Sequence, residues 1–142
     1  MRIEKEVNYK TIYIADDGKK RFNSEQDCLD YERVMSKFKG KVTDIENWDG
    51  GTTLCAYVGG YEDIVDFQTY LRYQNIYARI PLNARETLLN GIVCVDCTFY
   101  DDCAIESASS QLETLKEHIA SLTTSINILE KMIGVNDESN IP

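Results

Sequence analysis

Residues 105–133 read IESASSQLETLKEHIASLTTSINILEKMI. Ile105, Leu112, Ile119, Ile126 and Ile133 recur at every seventh position, and Ala108, Leu115, Leu122 and Leu129 each follow three residues later. This alternation of threes and fours is the a/d pattern of a coiled coil, and mostly Ile at a with Leu at d favours two parallel strands. The alternative is one amphipathic helix packed on its own domain. Length weighs against it. A helix of this stretch would be about 43 Å long at 1.5 Å per residue. The roughly 100 residues ahead of it fold to a body only ~30–35 Å across, from a radius of gyration of ~13 Å. Part of the seam is therefore expected to reach a second chain. The e and g positions (Ser109, Gln111, Lys116, His118, Thr123, Ser125, Glu130, Met132) carry few charges. They leave an antiparallel pair or a larger bundle open beside the favoured dimer. Gly134 follows at the place of a helix C-cap.

The remaining composition bounds the protein loosely. At 142 residues and 43% hydrophobic, one domain with a helical extension fits. The start, with Arg2, Glu4, Lys5 and Glu6, lacks the apolar run of a signal peptide. No stretch approaches the ~20 apolar residues of a membrane span. Five cysteines without an export signal are expected to be reduced thiols, which places the protein in the cytoplasm. A net charge of −9 argues against direct nucleic-acid binding, since phosphate contacts need a basic face.

Along the chain, Val7 to Ala15 reads as a strand, Asp16-Asp17-Gly18 as a turn, and Lys19 to Phe22 as the second strand of a hairpin. Asn23 or Ser24 caps a helix, Ser24 with Asp27 making a variant capping box, and Cys28, Tyr31, Val34, Met35 and Phe38 lie on one face, ended by Gly40. Lys41 to Ile45 and Thr52 to Val58 are β-prone around a turn at Asp49-Gly50-Gly51. Tyr61 to Tyr73 is a helix with Ile64, Phe67 and Leu71 inward. Pro81 and Asn83 mark a loop, Ala84 to Leu89 a short helical turn, and Gly91 to Tyr100 a central strand; Asp101-Asp102 turns into the long helix. The expected fold class is α+β: a small, mostly antiparallel sheet with helices on one face and a long C-terminal coiled-coil-like helix. The expected segments are an α+β domain over 1–103, an oligomerisation helix over 104–134 and a flexible tail over 135–142.

The run Tyr13-Ile14-Ala15-Asp16-Asp17-Gly18, followed by Phe22, Ser24, Cys28, Tyr31 and Glu32, resembles the opening of small bacteriophage accessory proteins of the form YIADDGxxxFxSxxxCxxYE. Thr52 to Tyr73 and Gly91 to Asp101 are also similar to that group, so the resemblance covers about half the chain. Its motifs are a hairpin turn, a helix cap and core positions; they carry no site residues. The resemblance implies a phage or prophage origin, a place in the host cytoplasm and a role against host defence, as in anti-CRISPR proteins.

Candidate chemistry is sparse. Cys94-Val95-Asp96-Cys97, with Cys103, is half a zinc site without its second pair, and on a strand Cys94 and Cys97 point to opposite faces. A redox dithiol wants a helix N-terminus, not a strand. His118 is the single histidine, and neither G-x-S-x-G nor a phosphate loop occurs. Asp16/Asp17, Glu62/Asp63 and Asp101/Asp102 lie in turns or a first helical turn, where carboxylates have structural uses. No catalytic residue, metal or cofactor is expected. Two contrasts in charge remain. Phe67 to Arg85 holds no acid but carries Arg72, Arg79 and Arg85 with Tyr70, Tyr73 and Tyr77. Arginine forks suit phosphate and tyrosine faces suit bases, so Arg72, Tyr73, Tyr77, Arg79 and Arg85 are candidates for binding a nucleotide signal. The plain reading is core tyrosines and surface ion pairs. Asp44, Glu46, Asp49, Glu62, Asp63, Asp66, Asp101, Asp102 and Glu106 would mimic a phosphate backbone if they shared one face; otherwise they are solvated.

The expected function is a non-enzymatic counter-defence protein that inhibits a host immune component. It would be an oligomer held through Ile105, Leu112, Leu115, Ile119, Leu122, Ile126, Leu129 and Ile133. The alternatives are an oligomeric sponge for a nucleotide second messenger and a structural coiled-coil protein.

Overall fold

Asp17 and Gly18 turn the chain where turn chemistry places them. The computed structural model describes residues 11–47, 50–88, 90–98 and 103–138, apart from the side chains of 135–138. The chain forms two compact units, Met1–Lys41 and Val42–Pro142.

In the first unit, β1 (Tyr13–Ile14) pairs antiparallel with β2 (Arg21–Phe22), Tyr13 opposite Phe22. Residues 7–10 of the expected strand lie outside the described residues. Gly18 closes the turn at φ +72°, an angle that an L side chain strains to adopt. The Asp17 carboxylate accepts from the Lys19 N–H at 2.8 Å and from the Tyr31 hydroxyl at 2.6 Å. Tyr31 belongs to α1 (Glu25–Phe38), which Ser24 caps by accepting from the Asp27 N–H. Cys28, Tyr31, Val34 and Phe38 are its buried stripe. Gly40, at φ +69°, follows its end. The turn motif and the helix are thus joined by one side-chain bond, Tyr31 to Asp17.

The second unit holds β3 (Thr43–Glu46), β4 (Thr52–Val58), α2 (Tyr61–Tyr73), β5 (Ala78–Arg79), α3 (Ala84–Thr87), β6 (Gly91–Asp96), β7 (Cys103–Ser107) and α4 (Ala108–Glu138). The strand order is β3-β4-β6-β7-β5. Its neighbours are antiparallel except β5 and β7, which run parallel, so the sheet is mixed and not the small, mostly antiparallel one expected. The difference comes from two strands hidden in the sequence. β5 is two residues long and carries no alternation. β7 occupies the head of the expected long helix. Ile105, counted there as the first seam residue, is fully buried and pairs with Val95 across the sheet. Its heptad spacing coincides with the period-two pattern of Cys103, Ile105 and Ser107, and burial against β6 decides between the two. Ser107 then accepts from the Ser110 N–H at 3.2 Å and marks where the helix begins. At its other end α4 runs through Gly134, which is no cap, to Glu138.

β6 is central, and Val93, Cys94 and Val95 are buried, whereas Ile92 is exposed. Ile64, Phe67 and Leu71 of α2 are fully buried, with Tyr70 stacked on Phe67 at 6.3 Å. A polar knot ties the β3–β4 turn to the end of β6. Buried Thr53 donates to the Asn47 side chain, and Asn47 donates to the Asp96 carboxylate at 2.9 Å. The same carboxylate oxygen accepts from the Thr98 N–H and hydroxyl. Gly50, at φ +85°, completes that turn; Asp49, Phe99 to Asp102 and Leu89 lie outside the described residues. Among the described residues no helix is long and apolar enough to cross a membrane.

Two outcomes test this packing. Phe67→Ala removes a fully buried ring and should lower the unfolding free energy by about 3–5 kcal/mol in urea denaturation; a loss under 1 kcal/mol would mean that α2 is not held by this face. The Asp17 carboxyl lies below its ordinary value of 3.8, chiefly through the Tyr31 hydroxyl and then the Lys19 N–H. A depressed carboxyl supports the fold above its ordinary pKa, and that support is lost as pH falls through the folded value. In Tyr31→Phe the Asp17 titration, followed by NMR, should move back towards 3.8; no movement would assign the shift to another cause.

Candidate functional site

Arg72 lies in the last turn of α2, where a cation favours the helix dipole. The helix ends in a tight reversal. Asn75 takes φ +62°, and the N–H groups of Asn75 and Ile76 return to the carbonyls of Arg72 and Leu71, both at 2.9 Å. The chain then enters β5, the edge strand that carries Arg79. Gln68 of α2 donates to the Ala78 carbonyl at 2.9 Å and holds strand to helix. Between them lies an open hollow of about 280 Å³, lined by Gln68, Arg72, Ile76, Tyr77, Ala78 and Arg79. Ile76 and Ala78 are buried, while Tyr77, Arg72 and Arg79 are exposed.

The structure therefore brings together three of the five residues singled out as ligand candidates, Arg72, Tyr77 and Arg79. It separates the other two. Tyr73 is half-buried and does not line the hollow. Arg85 stacks over the Tyr61 ring, 4.2 Å from its centroid, a cation–π contact that serves α3 and the start of α2. Tyr70 is taken up by the core, and its hydroxyl is pushed up by burial and then by Asp44. The volume lies just below that of ligand pockets, which run from about 300 to 1,000 Å³. It suits a phosphate-bearing fragment, with the exposed Tyr77 ring available to a base. Gln68, Ile76 and Ala78 are the lining residues that sequence reasoning passed over; of these Gln68 is the polar one, and its spacing four residues before Arg72 was the available signal.

The second candidate surface is α4. Its first turns pack on β6 and β7, with Gln111 buried and Leu115 and His118 half-buried. Beyond them every residue from Ile119 to Ile133 is exposed. Leu112, Ile119, Leu122, Ile126, Leu129 and Ile133 are each between 51% and 61% exposed. These are the expected seam positions without Ile105, which belongs to the sheet, and Leu115, which is half-buried near the base of the helix. Ile128 and Met132, outside the a/d positions, add to the apolar surface.

The cysteine motif does not form a common site. Cys94 faces Cys55 within the sheet, whereas Cys97 lies in the turn after β6 and donates to the Val95 carbonyl. Burial pushes the Cys97 thiol up to about 11. Among the described residues no three His, Cys, Asp or Glu side chains converge as metal ligands. Two carboxylates are engaged locally: Asp63 accepts from the Gly59 N–H at 2.7 Å, and Asp96 anchors the polar knot. Asp44 and Glu46 are exposed on the edge strand β3, and Asp101 and Asp102 lie outside the described residues. No protein-family model, no curated protein and no solved structure matches the chain.

The α4 face generates a direct test. Leu122→Asp with Leu129→Asp alters exposed side chains only, so the body should keep its fold. Light scattering should give an oligomer for the intact chain and a folded monomer for the variant. An intact chain that is monomeric at all accessible concentrations would assign the stripe to another partner.

Proposed function

We propose that this chain is a self-associating, non-enzymatic sequestering protein. Copies are joined through α4, and each offers the Arg72–Tyr77–Arg79 hollow to an anionic nucleotide signal. The observation that carries the reading is the convergence of two arginines and an exposed tyrosine on one hollow in a chain of net charge −9. Guanidinium forks bind phosphate oxygens in pairs, and an aromatic face accepts a base whatever its identity. The exposed α4 stripe supports the oligomer, for which a dimer is the favoured size, with its seam from Leu112 to Ile133. The resemblance of Tyr13–Gly18 and the following helix to phage proteins supports a setting in counter-defence within the host cytoplasm.

A second reading uses the same oligomer for direct inhibition of a host immune protein. What favours it is the pair Asp44 and Glu46, both exposed on the edge strand β3, which a basic partner would meet.

Thermal melting with cyclic nucleotides and ADP-ribose derivatives separates the two. A ligand at 100 times its Kd adds ~2.7 kcal/mol to the native state, a rise on the order of 10 °C in Tm. At least one member of the panel should produce it, and Arg72→Ala/Arg79→Ala should abolish it. No rise with any member would end the sequestering reading, and capture of a defence protein from host lysate in a one-to-one complex would then establish the second.

A further inference from the structure

Cys55 and Cys94 are the Cα partners of neighbouring antiparallel strands, β4 and β6. Directly opposed residues in such a ladder have Cα atoms about 4.5 or 5.5 Å apart, and both spacings fall within the range that a disulfide bridges. Both side chains leave the sheet on the same face, because partner residues share a face. Their sulfurs lie 2.8 Å apart. The other thiols are turned elsewhere: Cys28 to the Glu32 carboxylate, Cys97 to the Val95 carbonyl and Cys103 to the Tyr77 carbonyl.

From this geometry we infer that Cys55 and Cys94 are a disulfide-forming site, closed by thiol–disulfide exchange with a low-molecular-weight disulfide. The two thiols differ in access. Cys55 is half-buried, and Cys94 is 3% exposed. Cys55 therefore opens the exchange. Its thiolate attacks one sulfur of the small disulfide and releases one small thiol, leaving a mixed disulfide on Cys55. The Cys94 thiolate then attacks the Cys55 sulfur and releases the second. Two protein thiols become one S–S bond, the two electrons reduce the small disulfide to two thiols, and the protein protons leave with them. Burial, the hydrogen bond with Cys55, the Cys55 charge and the Glu106 charge together push the Cys94 thiol up to about 12. Once Cys55 is in the mixed disulfide, its charge and its thiol hydrogen bond are gone, and burial and Glu106 remain. The closing step is thus the slow one, and it quickens as pH rises. The bond would staple β4 to β6, the strand on which the first turns of α4 pack.

The test treats the native full chain with glutathione disulfide, then alkylates the remaining thiols after acid quenching and maps the peptides. Support is a Cys55–Cys94 cross-linked pair with three of the five thiols still alkylated, and a Tm higher by about 5–10 °C that reductant reverses. Cys94→Ser should retain a stable glutathione adduct on Cys55, and Cys55→Ser should leave Cys94 reduced. Five free thiols after prolonged exposure, an adduct on Cys55 in the unsubstituted chain that never closes, or a Cys97–Cys103 bond in place of the pair would each overturn the inference. The peptide map of the unsubstituted chain decides even where a serine variant fails to fold.

Discussion

The far half of α4 is constrained by an apolar stripe that the rest of the chain leaves exposed. Isolated helices gain little from propensity, and most of their stability comes from burying one face. Over Ile119–Ile133 α4 buries none of its residues within the chain. Six seam side chains, each about half in water, would gain about 1 kcal/mol apiece on burial, or ~12 kcal/mol gross across a pair. That is comparable with the ~4–15 kcal/mol cost of association. Pairing through this helix, as proposed, would therefore be concentration-dependent, with helix order and pairing rising together. The e and g positions do little to set orientation, so the bodies that the helix carries are free to influence it.

The anchoring of α4 explains why its base is rigid enough to present such a stripe. β7 feeds directly into the helix through the Ser107 cap, and Ile105, two residues earlier, is locked opposite Val95 in the sheet. The fully buried isoleucine and the exposed isoleucines thus share one heptad spacing but lie in different surroundings: Ile105 holds the strand, and Ile119, Ile126 and Ile133 are exposed.

This is also where the sequence was least able to speak for itself. The hairpin turn at Gly18, the Ser24 cap, α2 and β4 were legible because each rests on local chemistry: a left-handed angle, a side-chain acceptor, or a period confined to one element. β5 was not, because two residues contain no period and their pairing with β7 spans a sequence gap. β7 was masked by a heptad that coincided with an alternation. The candidate hollow was half legible. The acid-free run containing Arg72, Tyr77 and Arg79 was visible as composition, but only the Asn75 reversal brings α2 and β5 together. Arg85, further along in α3, lies over the Tyr61 ring instead.

The cysteines carry the sharper lesson about spacing. Cys94 and Cys97 form the familiar motif, yet proximity in sequence separates them, since a strand followed by a turn sends the two thiols to different surroundings. Cys55 is 39 positions from Cys94 and lies against it, because antiparallel register makes distant residues direct neighbours. What a motif search lacks is the register, which sets Val93 opposite Ala56, Cys94 opposite Cys55 and Val95 opposite Leu54. The register of β6 on β4 thereby decides which thiols meet, and the chemistry available to Cys94 follows from it.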